Sequence, residues 1–133
     1  MLKIEHIGIA VKDLNISEQL FENLLGYAAY KTEEVESEGV ITKFFQNGET
    51  KLELLCATKP ESSIHKFIDK KGEGIHHLAF NVENIVAEIE RLKNKGFEFI
   101  AEVPKKGADN KIICFLHPKS TNGVLIELCQ NVE

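Results

Sequence analysis

The segment His6-Ile-Gly-Ile-Ala-Val-Lys-Asp-Leu14 decides the fold, because it returns later in the chain as His77-Leu-Ala-Phe-Asn-Val-Glu-Asn-Ile85. The two copies lie 71 positions apart, and Phe44-Phe45 returns as Phe115-Leu116 at the same offset. Such self-similarity at a fixed offset indicates an internal repeat of one structural module. Each copy therefore begins with a histidine at the equivalent place.

A carboxylate near the end of each copy extends this repeat. Glu53 and Glu127 each stand between apolar residues in a strand-like run. A repeated fold brings equivalent positions together across a pseudo-twofold axis, so we expect both glutamates to meet His6 and His77. Imidazole and carboxylate suit a divalent cation such as cobalt, zinc, nickel or manganese. The sequence thus predicts one metal ion held by these four residues, with open positions for water or substrate.

Hydrophobic periodicity predicts an α+β fold of two tandem βαβββ modules, with mixed curved sheets enclosing the metal site. In the first module an alternating strand precedes a helix that ends at Gly26. That helix has an apolar stripe formed by Leu14, Leu20, Phe21, Leu24 and Leu25. The other predicted strands lie near 27–36, 40–46 and 50–57 in the first module and near 75–82, 97–103, 111–117 and 123–130 in the second.

Length and composition predict a single domain over residues 1–133, made of modules at about 1–60 and 74–133 and a linking helix at about 62–71. The chain is 43% hydrophobic and has a net charge of −5, which argues against a nucleic-acid partner. No apolar run approaches the roughly 20 residues of a membrane span, and no signal segment is seen. Three cysteines in apolar runs predict buried thiols in a reducing cytoplasm.

The loop before the second glutamate is three residues longer than its counterpart in the first module. It is rich in polar residues, and Lys119 and Ser120 are its candidate contacts to a substrate. The nearby residues Lys105, Lys106 and Lys111 are either a solvated turn or a contact for phosphate or carboxylate groups.

His76 and His77 compete for the same role in the predicted metal site. Adjacent residues of a strand point to opposite faces, so only one of the two can be a ligand. Equivalence with His6 selects His77. His76 is then expected to pack, to form a hydrogen bond or to support a ligand, and the role of His117 stays open.

Three stretches carry a family resemblance that covers nearly the whole chain. The repeated module with its His, Glu, His and Glu residues resembles the vicinal-oxygen-chelate superfamily, which includes glyoxalase I and bleomycin-resistance proteins. Within it, the chain is similar to methylmalonyl-CoA epimerases. Glyoxalase I members typically have an Asp-Pro-Asp-Gly turn before the last glutamate, whereas the His-Pro-Lys-Ser loop here is similar to epimerases. The stretches are Ile4-Glu-His-Ile-Gly-Ile-Ala-Val-Lys-Asp-Leu14, Lys71-Gly-Glu-Gly-Ile-His-His-Leu-Ala-Phe80 and Phe115-Leu-His-Pro-Lys-Ser-Thr-Asn-Gly-Val-Leu-Ile-Glu-Leu128.

The resemblance implies a metal-dependent isomerase that interconverts (2R)- and (2S)-methylmalonyl-CoA by removing and returning the proton at C2. Glu127 is then the first candidate for proton transfer. Certain epimerases carry an acid–base glutamate where this chain has Thr42. The second proton-transfer group therefore stays open among a metal-bound water, His76, Glu36 and Glu38.

The resemblance also implies an acyl-CoA substrate and a homodimer. Two other functions remain as alternatives. One is glyoxalase I, which acts on a hemithioacetal of glutathione and methylglyoxal. The other is a non-catalytic module that binds a drug or small metabolite, although the retention of all four candidate ligands argues against it.

Overall fold

The computed structural model describes residues 1–132 and divides into two compact units. The first unit is Ile7–His76, and the second joins Met1–His6 to residues 77–132. The predicted α+β class and the repeated βαβββ order are confirmed. The elements are β1 (Lys3–Ala10), α1 (Leu14–Leu25), β2 (Lys31–Val35), β3 (Val40–Asn47), β4 (Thr50–Ala57), α2 (Ser63–Lys71), β5 (Gly74–Asn81), α3 (Ile85–Asn94), β6 (Lys105–Lys106), β7 (Lys111–Leu116) and β8 (Ile126–Asn131).

The first unit is built around the strand order β2-β3-β4-β1. Local signals set the ends of α1: the Asp13 side chain accepts a hydrogen bond from the Ile16 amide, and Gly26 ends the helix with a φ of 88°. The predicted linking helix is confirmed as α2, which Ser62 caps. Beneath α1 lie buried side chains of β3 and β4, among them Phe45 and Leu54.

The predicted apolar stripe of α1 is only partly correct. Leu14, Phe21 and Leu25 pack against the buried cluster of the first unit. Leu20 and Leu24 are instead 56% and 69% exposed. At 3.6 residues per turn the three packed residues share one face, whereas the other two lie on a neighbouring face that the unit leaves uncovered.

The second unit has the strand order β1-β5-β8-β7-β6. Strands β5 and β8 are parallel, and β7 is antiparallel to β8. The helix α3 starts after Asn84, whose side chain accepts a hydrogen bond from the Ala87 amide. It packs Ile85, Ile89 and Leu92 against β7 and β8. This packing fixes β8 and so the position of Glu127.

The strand predicted at 97–103 was wrong. The structure has an isolated bridge between Phe99 and Leu116, and the two-residue strand β6 follows at Lys105–Lys106. Phe97 and Phe99 alternate with exposed residues because they pack against the cluster beneath α3. Alternation here therefore reflects side-chain packing rather than a continuous ladder of backbone hydrogen bonds.

The two long hairpins repeat the same local geometry. Phe44 lies opposite Glu53 in the β3–β4 pair, and Phe115 lies opposite Glu127 in the β7–β8 pair. A tight turn joins β3 to β4, whereas residues 117–125 join β7 to β8. The predicted equivalence of the two glutamates within the repeat is thus visible in the strand register.

Within residues 1–132, no helix combines the length and the apolar character that crossing a membrane requires.

Candidate metal centre

Three predicted ligands meet in the second unit. His6 lies on β1, His77 on β5 and Glu127 on β8, and each is at most 6% exposed. The two imidazole Nε2 atoms are 3.0 Å apart. Oε1 of Glu127 lies 3.1 Å from Nε2 of His77 and 3.5 Å from Nε2 of His6. Three donor atoms therefore converge on one point.

The parallel pairing of β5 with β8 places two of these donors side by side. Ala79 lies opposite Glu127 in the register. His77 is two residues before Ala79 and so projects from the same face of β5. The small, fully buried Ala79 leaves room for the carboxylate to reach the imidazole. The ring of Phe115 lies edge-on to that of His77, with 5.9 Å between the centroids.

The charge of Glu127 is set by two opposing effects. Burial raises the pKa of this carboxyl group, but the charge of His6 and hydrogen bonds with His6 and His77 hold the pKa far below its usual range. The group is therefore ionised at neutral pH. It can therefore serve as an anionic ligand for a cation.

The spacing of the three donors fits a shared metal ion. Donor atoms about 2.1 Å from one ion are roughly 3.0 Å apart at a right angle and roughly 3.4 Å apart at a tetrahedral angle. The observed distances of 3.0, 3.1 and 3.5 Å fall at these values. Two neutral imidazoles with a carboxylate also form a donor set that divalent cations favour. The cluster can therefore hold one such ion.

Glu53, the fourth predicted ligand, lies on β4 of the first unit and is 4% exposed. Its flanking residues are apolar, and it faces Phe44 across the hairpin. A carboxylate buried in such a strand requires a polar or cationic partner. Its membership of the metal site stays a prediction.

The candidates for a second proton-transfer group lie in the first unit. His76 is half-buried, and its ring meets that of Phe67 edge-on at 4.8 Å between centroids. The hydroxyl of Thr42 is buried and donates to the Glu33 carbonyl at 3.1 Å. Glu36 is exposed and Glu38 half-buried in one short 3₁₀ turn.

The predicted substrate-binding residues lie in the 3₁₀ turn Pro118–Ser120. Nζ of Lys119 forms an exposed ion pair with Glu98 at 3.1 Å. The hydroxyl of Ser120 donates to the His117 carbonyl at 2.9 Å, and Nδ1 of His117 accepts from the Lys119 amide. These bonds give His117 and Ser120 a role in shaping the loop, and contact with a substrate stays a prediction.

Glu5 is a site residue that was not predicted. It is 2% exposed, and its Oε1 lies 2.9 Å from Nδ1 of His6. Its Oε2 lies 3.9 Å from Nζ of Lys111. Strand alternation assigns Glu5 to the face opposite His6, yet both residues are buried. A carboxylate directly before a candidate ligand is the signal that would have found it.

The three cysteines are free thiols, as predicted, but the predicted burial is confirmed for only two of them. Cys114 and Cys129 are buried, whereas Cys56 is half-buried. Burial raises the pKa of the Cys56 and Cys114 thiols. A raised pKa leaves little thiolate at neutral pH, so these two cysteines are poor nucleophiles.

Comparison with known proteins identifies the family. A human mitochondrial methylmalonyl-CoA epimerase is 38% identical over 129 residues, which cover 96% of this chain and 73% of the human protein. An ethylmalonyl-CoA/methylmalonyl-CoA epimerase from Cereibacter sphaeroides is also 38% identical, over 96% of this chain and 97% of that protein.

Solved structures extend the similarity to the fold. A Streptomyces coelicolor methylmalonyl-CoA epimerase variant in complex with 2-nitronate-propionyl-CoA matches with a TM-score of 0.93 and 32% identity. The match covers 99% of this chain and 96% of that chain. Residues 5–115 match the glyoxalase/bleomycin resistance protein/dioxygenase superfamily. The predicted resemblance is confirmed, and the chain belongs to this superfamily.

Proposed function

We propose that this protein is an isomerase that interconverts (2R)- and (2S)-methylmalonyl-CoA. The observation that carries the proposal is the convergence of His6, His77 and Glu127 within 3.0–3.5 Å of one another. Relatives named as methylmalonyl-CoA epimerases, similar over nearly the whole chain, support this substrate over others in the superfamily.

The proposed cofactor is one divalent ion, cobalt, zinc, nickel or manganese, held by these three residues with Glu53 as the fourth ligand. When bound, such an ion supplies Lewis acidity for the negative charge that develops on the substrate as the C2 proton leaves. The chain contributes a buried set of donor atoms. It also contributes the ring of Phe115, which holds the His77 imidazole in place.

Epimerisation requires removal of the C2 proton on one face and its return on the other, and therefore two acid–base groups or one mobile group. Glu127 is proposed for one of them, because its ionised carboxylate is in the cluster. Thr42 offers no ionisable group, and its hydroxyl is engaged with a backbone carbonyl. The second role therefore falls to His76, Glu36, Glu38 or a water molecule.

The proposal includes an acyl-CoA substrate, with Lys119 and Ser120 as contacts on the 3₁₀ turn. Of these, Lys119 is the more accessible, since its ammonium group is bound only by a solvent-exposed carboxylate among the contacts described. Surface ion pairs of this kind contribute little, so exchange of Glu98 for a substrate phosphate has a low energetic cost. The single domain, the homodimer and the cytoplasmic location remain predictions.

Deuterium incorporation at C2 of methylmalonyl-CoA in D₂O tests the proposal. The metal-stripped and the cobalt-reconstituted protein are compared by mass spectrometry, with chiral analysis of the product. We expect incorporation and epimer conversion that depend on both protein and metal. Cobalt binding without incorporation would refute the proposed reaction, and turnover of glutathione with methylglyoxal in a parallel assay would assign glyoxalase I chemistry instead. Absence of metal binding would favour a binding module.

A further inference from the structure

We infer that Glu5 positions His6 for metal binding by holding the proton of its imidazole on Nδ1. The inference rests on the metal site of the proposed function. Its basis is the 2.9 Å contact between Oε1 of Glu5 and Nδ1 of His6, two side chains that are 2% and 6% exposed. Glu5 is not one of the proposed metal ligands or proton-transfer groups.

The chemistry of imidazole makes this contact consequential. A neutral imidazole has one N–H group and one nitrogen lone pair. An ionised carboxylate only accepts hydrogen bonds, so Glu5 requires the hydrogen on Nδ1. The lone pair is then on Nε2, the atom 3.0 Å from Nε2 of His77 and 3.5 Å from Oε1 of Glu127. Glu5 therefore selects the tautomer whose lone pair faces the cluster.

Lys111 makes the burial of Glu5 tolerable. An isolated buried carboxylate is strongly destabilising unless a cation or hydrogen bonds compensate it. Nζ of Lys111 lies 3.9 Å from Oε2 of Glu5, and the lysine side chain is 12% exposed. The Asn131 side chain accepts a hydrogen bond from the same ammonium group and thereby anchors it. Lys111, Glu5 and His6 thus form a chain of contacts that leads to the cluster.

The sequence of the second module has no carboxylate equivalent to Glu5 beside its histidine. The residue before His77 is His76, not a carboxylate, and it packs on Phe67. The Glu5–His6 pair is therefore not a by-product of the repeated fold. Glu5 should therefore affect the tautomer of His6 on β1 and not that of His77.

Two measurements on the full-length protein test the inference. The dissociation constant for Co²⁺ is measured by calorimetry for the wild type, for Glu5→Leu and for Glu90→Leu. Leucine has no atom that can accept the hydrogen bond from Nδ1, and the control removes the same carboxylate from an exposed position on α3. We expect Glu5→Leu to weaken cobalt binding about 10- to 100-fold, with little change for Glu90→Leu. Wild-type affinity in Glu5→Leu would overturn the inference.

The second measurement needs no variant. In the ¹⁵N-labelled wild type loaded with Zn²⁺, NMR correlations of the imidazole are expected to show His6 bound through Nε2, with a slowly exchanging Nδ1 proton. A zinc bond through Nδ1 would overturn the inference even if Glu5→Leu fails to fold. Failure of the proposed reaction is distinguishable, because it leaves the cobalt and NMR results intact. A wild type that binds neither ion would overturn the inference together with the metal site.

Discussion

The substitution Glu127→Gln removes one negative charge from the cluster and nearly preserves its shape. Oε1 of Glu127 lies 3.1 Å from Nε2 of His77 and 3.5 Å from Nε2 of His6, and Glu127 is only 4% exposed. An amide oxygen can still accept a hydrogen bond from either ring, so we expect the protein to fold. It offers no charge to a divalent ion.

The expected loss of metal affinity follows from the position of this oxygen. Removing a partner that only orients a ligand typically costs 10- to 100-fold in affinity. Glu127 is one of the three converging donors, so its replacement should cost more than that range. We therefore expect cobalt binding to weaken at least about 100-fold, which corresponds to about 2.7 kcal/mol.

Calorimetric titration of the metal-stripped protein with Co²⁺ measures this effect, and circular dichroism confirms the fold. Glu90→Gln, on the exposed face of α3, is the matched control for the loss of charge. Deuterium incorporation at C2 should fall together with cobalt occupancy. An unchanged dissociation constant, or full activity without bound metal, would refute the assignment of Glu127 as a ligand.

Three further outcomes are expected. Cobalt at 100 times the wild-type dissociation constant should stabilise the wild type against urea by about 2.7 kcal/mol, an increment that falls to about 0.4 kcal/mol or less in Glu127→Gln at the same concentration. Leu54→Ala should lower the free energy of unfolding in urea by about 2–5 kcal/mol because Leu54 is fully buried, whereas Leu24→Ala should lower it by less than about 0.5 kcal/mol. Equal losses would contradict the finding that Leu24 lies on an uncovered face of α1. Burial raises the pKa of the Cys56 thiol, and only the thiolate reacts with iodoacetamide. The increase in the alkylation rate of Cys56 should therefore occur at a higher pH in the native than in the unfolded protein. Coincident pH profiles would argue against this burial effect.

Much of the fold was predictable because its signals are local. Asp13 and Gly26 set the ends of α1 through a side-chain cap and a positive φ. The hairpin registers follow from alternation, and they place Glu53 and Glu127 opposite equivalent phenylalanines. Alternation also separated His77 from its neighbour, since adjacent strand residues face opposite sides.

Other features depended on which surfaces are covered. The pattern of α1 contains two apolar rows, and only packing against β3 and β4 shows that Leu20 and Leu24 lie outside the buried row. Likewise, residues 97–103 alternate in character, but the β6–β7 pairing begins only at Lys105. Periodicity indicates which residues share a face and does not indicate what covers that face.

By itself, the sequence determined the repeat, the order of strands and helices, and the histidines and glutamates that recur at equivalent positions. Tertiary structure decided the geometry of the cluster, because His6, His77 and Glu127 come from three strands that are distant in sequence. It also revealed the contact of Glu5 with His6, in which a buried carboxylate oxygen lies 2.9 Å from Nδ1. Hydrogen bonding and burial depend on distances between strands, and a one-dimensional pattern does not contain those distances.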